Sequence, residues 1–265
     1  MRVSNFIGLI AVLCGGVPYA PAWADEAAND PWAATVLAPR QAAPLDPLVF
    51  AHIKATGNDE PPRFAGGRDA ALLEAAAAND LKQVEALFKS GANANTRDAL
   101  GMRPLLYAAR NGAVEMVRML LEAGADPDVK GSGFTPMGIA ALNGHARTVQ
   151  LLLKAGADVD KKSDNGCTPL MNAAQMNHAR TVEVILKYDP DLSLTNPERM
   201  TALSIAAAEG HSESLEVMLK HGVDPNLIDR NNNPPLFWAV FRGQRGAIRV
   251  LLEYGAEAGT MAVDL

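Results

Sequence analysis

The sequence predicts an all-α solenoid of six stacked helix pairs, and three regularities carry that prediction. A proline, or an alanine in its place, recurs at steps of 32, 33, 33 and 33 residues, at Pro104, Pro136, Pro169, Ala202 and Pro235. A pair of small residues follows each of these positions by four to five residues, and a glycine follows most of them by twenty. Ala71 and Gly91 give the same spacing one unit earlier. A fixed period of this length indicates a supersecondary unit that buries its apolar face only by stacking on its neighbours.

Each unit is predicted to contain two short helices. Pro104 stands where a first helical residue needs no N–H, so a helix is expected from there to about Asn111, ending at Gly112. A second helix is expected to end at Gly124, a residue that tolerates positive φ. Its apolar side chains follow the i, i+3, i+4 pattern of one buried face, at Val114, Val117, Leu120 and Leu121.

The composition excludes several classes of function. The chain has 265 residues, a formal net charge of −6 and only 5% aromatic residues, which favours tightly packed small helices over an aromatic-rich enzyme core. Lys161-Lys162 is the one doubled lysine of the repeats, and no basic stripe accompanies it. We therefore expect no nucleic-acid partner, because such a partner needs a basic face along its phosphates.

The first 24 residues are predicted to be a cleaved signal peptide. Arg2 precedes the apolar run 6–13, and Ala22-Trp23-Ala24 offers a cleavage site before Asp25. The run is too short to span a bilayer, which takes about 20 apolar residues, so we expect no stable membrane span after cleavage. The expected location is the periplasm, with secretion as the alternative. Cleavage removes Cys14 and leaves one cysteine, so no internal disulfide can form.

The chain after the signal peptide divides into three parts. Residues 25–67 are expected to be a Pro/Ala-rich linker or arm, because repeated prolines disfavour helix. Residues 258–265 are expected to be a C-terminal tail. The six units between them span 68–100, 101–132, 133–165, 166–198, 199–231 and 232–257.

This pattern resembles the ankyrin repeat. The resemblance is carried by the stretch T-P-M-G-I-A-A-L-N-G-H-A-R-T-V-Q-L-L-L-K-A-G-A-D-V-D, residues 135–160, and by its five relatives in register, over about residues 68–257. It implies an ankyrin-repeat solenoid in which β-hairpin fingers project beside the helix pairs. It also implies that partner proteins bind on the concave side, which is formed by the fingers and the ends of the first helices.

The sequence departs from the family pattern in two places. The histidine that usually follows Thr-Pro-Leu is absent, so the inter-repeat hydrogen bonds of that histidine are in question; its position holds Leu106, Gly138, Met171, Ser204 and Phe237. The fourth unit has Asp189-Pro190 where Gly-Ala is usual.

The last helix carries Arg245, Arg249 and Glu253 at four-residue steps, a polar face expected where no further repeat covers it.

The stretch G-C-T-P-L-M-N-A-A-Q-M-N-H, residues 166–178, raises the question of a thiol catalyst or a metal site. Cys167 and His178 lie at opposite ends of a predicted helix, roughly 12 Å apart, too far for a hydrogen bond. His145, His178 and His211 recur once per unit, which favours a structural role over metal binding. Cys167 is interpreted as a tolerated surface residue that could still pair between molecules. We expect no catalytic residues, no metal ligands and no cofactor.

A candidate partner-binding surface follows from the resemblance. Two residues before each proline position, the fingers carry Met102, Phe134, Cys167, Met200 and Asn233. Near the end of each first helix stand Arg110, Leu142, Gln175, Ala208 and Phe241. The aromatic residues Tyr107, Phe237 and Trp238 are candidate additions, although apolar residues at this spacing also pack cores. A charged rim is expected at Arg97, Asp98, Lys162, Asp164, Glu198, Asp229 and Arg230.

The function expected from these features is that of a non-catalytic protein-binding module. An exported bacterial protein of this kind would act as an adaptor, stabiliser or inhibitor of an unidentified protein, either as a monomer or in a hetero-complex. One alternative is a periplasmic carrier of a small ligand or soft metal, motivated by Met102, Met171, Met176 and Met200. Another is an effector delivered into a host cell.

Overall fold

The computed structural model describes residues 67–258, which form twelve helices in six consecutive pairs. The predicted signal peptide, the arm up to residue 66 and the tail from residue 259 lie outside the described residues. The first helices, called inner, are α1 (Arg68–Ala77), α3 (Pro104–Arg110), α5 (Pro136–Leu142), α7 (Pro169–Gln175), α9 (Ala202–Glu209) and α11 (Pro235–Phe241). The second helices, called outer, are α2 (Leu81–Lys89), α4 (Val114–Glu122), α6 (Ala146–Lys154), α8 (Ala179–Leu186), α10 (Ser212–Lys220) and α12 (Arg245–Glu253).

The helices form two packed layers. Each inner helix packs against the inner helices before and after it, and each outer helix does the same in its own layer. Within a unit the two helices also pack on each other. The predicted solenoid of six helix pairs is therefore confirmed. No helix within residues 67–258 has the length and apolar content needed to cross a membrane.

The inner helices begin where the sequence predicts. Four of them have proline at their first position, where its missing N–H costs nothing. Three are capped by a threonine oxygen that accepts the N–H three residues on: Thr135 from Gly138, Thr168 from Met171 and Thr201 from Ser204. Such a cap stabilises a helix by about 1 kcal/mol. Arg103 and Pro234 stand at this place before α3 and α11 and form no side-chain cap.

The core lies between the two layers. The alanine pairs of the inner helices are buried, which lets neighbouring helices approach closely. The outer helices contribute their apolar stripe, with fully buried side chains at Val84, Met116, Val117, Leu120, Val149, Leu152, Val182, Ile185, Leu215, Met218, Ile248 and Leu251. In α4 the predicted stripe is only partly right: Val114 and Leu121 are half-buried, and Met116 joins Val117 and Leu120 in the core.

The fingers between units are tight turns. Four close with a backbone hydrogen bond of 3.0 Å from residue i to residue i+4: Asp98 to Met102, Ser163 to Cys167, Asn196 to Met200 and Asp229 to Asn233. The finger between the second and third units is one residue shorter and forms the bridge between Gly131 and Phe134. This isolated bridge is the β-pairing found within residues 67–258, since these turns are too short for strands.

A series of Asp and Asn side chains links the units at the start of each finger. Each member of this Asx series accepts a backbone N–H of the next unit at 2.8–3.1 Å: Asn95 from Asp126, Asp128 from Asp158, Asp160 from Asp191 and Asn226 from Glu257. Ser193 occupies the corresponding position between the fourth and fifth units, and its hydroxyl donates to Asp191 of its own unit at 2.6 Å. Partial burial, together with the carboxylates of Asp191 and Asp158, raises the pKa of Asp160.

Candidate functional site

One residue near the end of each inner helix forms a row along the layer. We call this set the inner row: Arg110, Leu142, Gln175, Ala208 and Phe241. Ala208 is buried, Arg110, Leu142 and Gln175 are half-buried, and Phe241 is 38% exposed. The Arg110 guanidinium lies over the ring of Tyr107, with its Cζ 5.2 Å from the ring centroid. The row is therefore accessible in four of its five members and carries its largest apolar side chain in the last unit.

The finger residues predicted to bind a partner differ in accessibility. Phe134, Met200 and Asn233 are half-buried, so each offers part of its side chain to solvent. Met102 and Cys167 are buried, with 6% and 8% of their surface exposed. The accessible finger surface is thus smaller than the sequence pattern indicates.

Three aromatic rings gather on α11. The rings of Phe237 and Phe241 stack with centroids 5.9 Å apart. Trp238 meets both edge-on, at 5.4 Å from Phe237 and 6.2 Å from Phe241. Phe237 and Trp238 are half-buried and Phe241 is exposed. Aromatic pairs in these geometries hold each other in place, which gives a rigid apolar surface at this end of the stack.

Two of the predicted aromatic residues anchor fingers to inner helices. The Tyr107 hydroxyl donates to Asp98 Oδ2 at 2.7 Å, and Trp238 Nε1 donates to Asp229 Oδ2 at 2.8 Å. In each pair the other carboxylate oxygen accepts two backbone N–H groups of the same finger. Burial and the hydrogen bond to Asp98 raise the pKa of Tyr107 well above its ordinary range.

These contacts correct part of the predicted charged rim. Asp229 is only 5% exposed and its carboxylate is fully used inside the finger, so it does not lie in a solvated rim. The ammonium group of Lys162 donates to the Thr195 carbonyl at 2.7 Å, and Asp164 pairs with Lys130 at 2.8 Å. Arg97, Glu198 and Arg230 are exposed, as a rim requires.

Cys167 is not a surface residue, contrary to the sequence-based interpretation. The residue is 8% exposed, and burial followed by the nearby Glu198 carboxylate raises the pKa of its thiol to about 11. The thiolate is the nucleophilic form, so a thiol with this pKa is a poor nucleophile at neutral pH. Its burial also disfavours pairing with a cysteine of another molecule.

The recurring histidines are structural, and they form hydrogen bonds between units from a position other than that of the histidine missing from the family pattern. His145, His178 and His211 each stand just before an outer helix and bond a backbone carbonyl of the preceding unit through Nε2. The acceptors are Arg110, Leu142 and Gln175, at 2.9, 3.1 and 2.9 Å. Gln244 makes the same bond to Ala208 at 3.1 Å in the last unit. We call these four residues the histidine series.

Glycine makes room for these rings. A Cβ at Gly112 would lie 2.6 Å from Nδ1 of His145, and one at Gly144 would lie 2.7 Å from Nδ1 of His178. Both glycines also have positive φ, so both the close approach of the histidine ring and the backbone conformation favour glycine there. Burial lowers the pKa of His178, and the neighbouring His145 and His211 lower it further.

The residues considered for metal binding differ in burial. Within residues 67–258, no group of three or more His, Cys, Asp or Glu side chains is placed to hold a metal ion. Of the four methionines that motivated a carrier, Met102 and Met171 are buried in the core, and Met176 and Met200 are half-buried. Met171 Sδ accepts the N–H of Thr168 at 3.5 Å, which gives this thioether a local role.

The C-terminal outer helix has the polar surface expected of a cap. Arg245, Arg249 and Glu253 are all exposed. On the same helix Leu252 is 38% exposed, equal to Phe241 of the inner row. Leu252 is therefore a suitable control position for Phe241, since it is apolar and equally exposed but lies on an outer helix.

Comparison with known proteins identifies the repeat. The family model described as "Ankyrin repeats (3 copies)" matches residues 72–163, 128–196 and 170–262, which together cover most of the chain. A crystal structure of an ankyrin repeat domain from Acinetobacter baumannii is similar, with a TM-score of 0.64 and 30% sequence identity. The similarity covers 70% of this chain and 98% of that one.

Two kinds of curated relative match shorter parts of the chain. The mitochondrial disaggregase of Homo sapiens is 47% identical over 62 residues, which is 23% of this chain and 9% of that protein. Protein phosphatase 1 regulatory subunit 27 of Mus musculus is 33% identical over 96 residues, which is 32% of this chain and 62% of that protein. The chain thus spans less than two thirds of the length of each of these relatives.

Proposed function

Because the chain belongs to the ankyrin-repeat family, a family of protein–protein interaction modules, we propose that its inner row docks one partner protein without catalysis. Phe241 is the main observation behind this proposal. Its side chain is exposed, and the rings of Phe237 and Trp238 hold it in a fixed position in which a partner could bury it. Aromatic side chains that a partner buries contribute most of the binding energy in many interfaces. Phe134 and Met200 extend the same surface through the fingers.

The inner row supports docking because it is pre-formed. The backbone carbonyls of its first four residues already accept bonds from the histidine series, and the ring of Phe241 is packed against Phe237 and Trp238, so little ordering is left for the moment of binding. Arg110, fixed over Tyr107, and Gln175 add polar contacts beside Leu142 and Phe241. This mixture of apolar anchors and polar neighbours is typical of a protein interface.

The role that follows is that of an adaptor, stabiliser or inhibitor. The name of one relative, a regulatory subunit of protein phosphatase 1, supports a role in which binding itself is the activity. No covalent step is part of the proposal, and the high pKa of Cys167 fits a chain that works through its surface.

We also propose that the partner lies outside the cytoplasm. Arg2, the apolar run 6–13 and the Ala22-Trp23-Ala24 site support export with cleavage before Asp25. Fractionation followed by mass spectrometry tests this. A chain beginning at Asp25 in the periplasmic fraction is expected, a chain beginning at Met1 there would contradict cleavage, and recovery from the cytoplasmic fraction alone would contradict export.

The docking proposal is tested by capture with matched variants. The wild-type protein, a Phe134→Arg/Phe241→Arg variant and a Leu121→Arg/Leu252→Arg variant are immobilised and exposed to periplasmic extract. Leu121 is half-buried like Phe134 and Leu252 is 38% exposed like Phe241, and both lie on outer helices, so the control adds the same charge at matched apolar positions away from the inner row and the fingers. Circular dichroism verifies that all three fold.

The expected result is one protein retained by the wild type and by the control variant and lost by the Phe134/Phe241 variant. Retention of the partner by both variants would show that the inner row is not the binding site. Absence of any captured protein, with a metal or chromophore in the purified wild type, would favour the carrier alternative instead.

A further inference from the structure

The aromatic–aspartate contacts that anchor the first and last fingers have a counterpart between the third and fourth units. At the same two positions stand Ser163 in the finger and Asn172 on α7, again nine residues apart. Ser163 Oγ and Asn172 Oδ1 are buried and have no hydrogen-bond partner within residues 67–258. Because buried polar atoms in folded proteins are nearly always hydrogen-bonded, these two atoms indicate a partner that the described side chains do not supply.

Both side chains belong to a group of polar residues around Gly138, on the inner helix of the third unit. A Cβ added to Gly138 would lie 2.6 Å from Ser163 Oγ and 2.9 Å from Thr135 Oγ1. It would lie 3.5 Å from Asn172 Nδ2. Thr135, Ser163 and Asn172, which we call the polar cluster, are each at most 3% exposed. Three polar side chains therefore converge on one buried point between α5 and the finger that follows it.

The Asn172 amide is held in one orientation. Its Nδ2 donates to the Gly138 carbonyl at 3.2 Å, which links the fourth unit to the third. Turning the amide over would bring Oδ1 against that carbonyl oxygen, and two acceptors repel each other. Oδ1 is therefore the atom left without a donor, whichever way the amide group of an isolated asparagine is assigned.

The side chains at this junction are smaller than their counterparts in the other units. The position of Gly138 is taken elsewhere by Leu106, Met171, Ser204 and Phe237. The position of Asn172 is taken by Tyr107, Ile139, Ile205 and Trp238, and that of Ser163 by Asp98, Lys130, Asn196 and Asp229. Smaller side chains at three adjoining positions favour a small polar molecule here, since a buried water needs space as well as polar partners.

We propose that a buried water molecule binds the polar cluster and joins the third unit to the fourth. The water donates to Asn172 Oδ1 and to Ser163 Oγ, the two atoms that lack a partner. It accepts from the Thr135 hydroxyl, whose oxygen already accepts the Gly138 N–H at 3.0 Å. Three bonds is the usual number for a buried water. A divalent cation fits poorly, because the cluster supplies no carboxylate.

The water does at this junction what an aromatic side chain does at the first and last fingers. Tyr107 and Trp238 each reach the finger aspartate directly, whereas Ser163 Oγ receives no bond from Asn172. The water spans the distance that the shorter side chains leave. Because the polar cluster is buried and lies outside the inner row, the proposal is independent of the docking function.

A high-resolution crystal structure of the full chain tests the proposal directly. The expected result is an ordered water within about 2.7–3.2 Å of both Ser163 Oγ and Asn172 Oδ1. A direct hydrogen bond between these two side chains, without water, would overturn the proposal. So would a structure in which no density lies between them.

The sign of the effect of Ser163→Ala tests the same point in solution. With a bound water, the substitution removes one of the three partners of that water, and the melting temperature should fall by about 2–4 °C. If the Ser163 hydroxyl is simply unpaired, removing it relieves a buried polar group, and the melting temperature should stay constant or rise. A constant or higher melting temperature would therefore contradict the bound water.

Thr181→Val is the matched control for this substitution. The Thr181 hydroxyl is also fully buried and has no partner within residues 67–258, but it stands on α8 in the outer layer. Its replacement should not lower the melting temperature, because no bond is lost. Equal falls for Ser163→Ala and Thr181→Val would show a general cost of removing buried hydroxyls and would contradict a bond specific to Ser163.

Discussion

The histidine series and the Asx series both join neighbouring units through a side chain and a backbone group, but they lie in different environments. The four bonds of the histidine series are part-buried, whereas those of the Asx series are exposed. The histidine series bonds every junction from the second unit onward, and the Asx series lacks a member at Ser193. An exposed bond can be replaced by water at small cost, whereas a buried carbonyl that loses its donor cannot. The stack therefore tolerates a gap in the Asx series.

The largest effect should follow from breaking the histidine series at its centre. His178→Ala removes the donor to the Leu142 carbonyl and the ring packed on Gly144, and should lower the free energy of unfolding by about 2 kcal/mol. His178→Gln should lose less than half of that, because Gln244 shows that glutamine makes the same bond. Urea unfolding followed by circular dichroism measures both. Equal losses would show that the ring, and not the bond, is what the junction needs.

An intermediate effect should follow from completing the Asx series. Ser193→Asn supplies an amide that can accept the Asp224 N–H and should raise the free energy of unfolding by about 0.5 kcal/mol, since exposed hydrogen bonds contribute little. Asn95 and Asn226 show that asparagine suits this position. Ser193→Ala is the control, and its stability should not exceed that of the wild type. Equal stability of Ser193→Asn and Ser193→Ala would show that the missing bond at residue 193 does not affect the free energy of unfolding.

The smallest effect should come from removing a charge within the Asx series. The folded-state pKa of Asp160 is raised, so its ionised form is disfavoured on folding and stability falls as the pH rises through that pKa. Asp160→Asn should therefore raise the melting temperature at pH 7 by on the order of 1 °C, because solvent still screens this partly exposed side chain. The advantage should shrink as the pH falls toward about 4, where the wild-type carboxyl also becomes neutral. Thermal melts at the two pH values test this, and a constant difference would contradict the assigned cause.

Sequence regularity was sufficient for the fold because each unit repeats the same local signals. Proline at the first helical position, the alanine pair and the apolar stripe depend on neighbours a few residues away, so the helix starts at Pro104, Pro136 and Pro169 match the prediction. The prediction of β-hairpin fingers came from the family resemblance. In the structure each finger is a tight turn with few residues that could pair, so it is closed by one or two backbone hydrogen bonds and forms no strands.

The candidate surface was harder to predict, because exposure depends on contacts across units. Cys167 and Met102 are two residues before a proline, like Phe134 and Met200, yet only the last two reach solvent. The bonds of Asp98 to Tyr107 and Asp229 to Trp238 join residues nine apart with no periodic signal. The sequence did contain one clue: an aspartate stands nine residues before Tyr107 and again nine residues before Trp238. Both aromatic side chains carry a hydrogen-bond donor, and the spacing becomes noticeable only because it occurs twice.

The most direct test of the account is a pair of affinities for the captured partner, measured with Phe241→Arg and Leu252→Arg. The two side chains are equally exposed at 38%, one on the inner row and one on the outer layer. The account predicts that Phe241→Arg weakens binding at least tenfold, which corresponds to about 1.4 kcal/mol, while Leu252→Arg binds as the wild type does. Both variants should melt within about 2 °C of the wild type. Equal affinities for the two variants, or a loss confined to Leu252→Arg, would contradict docking on the inner row.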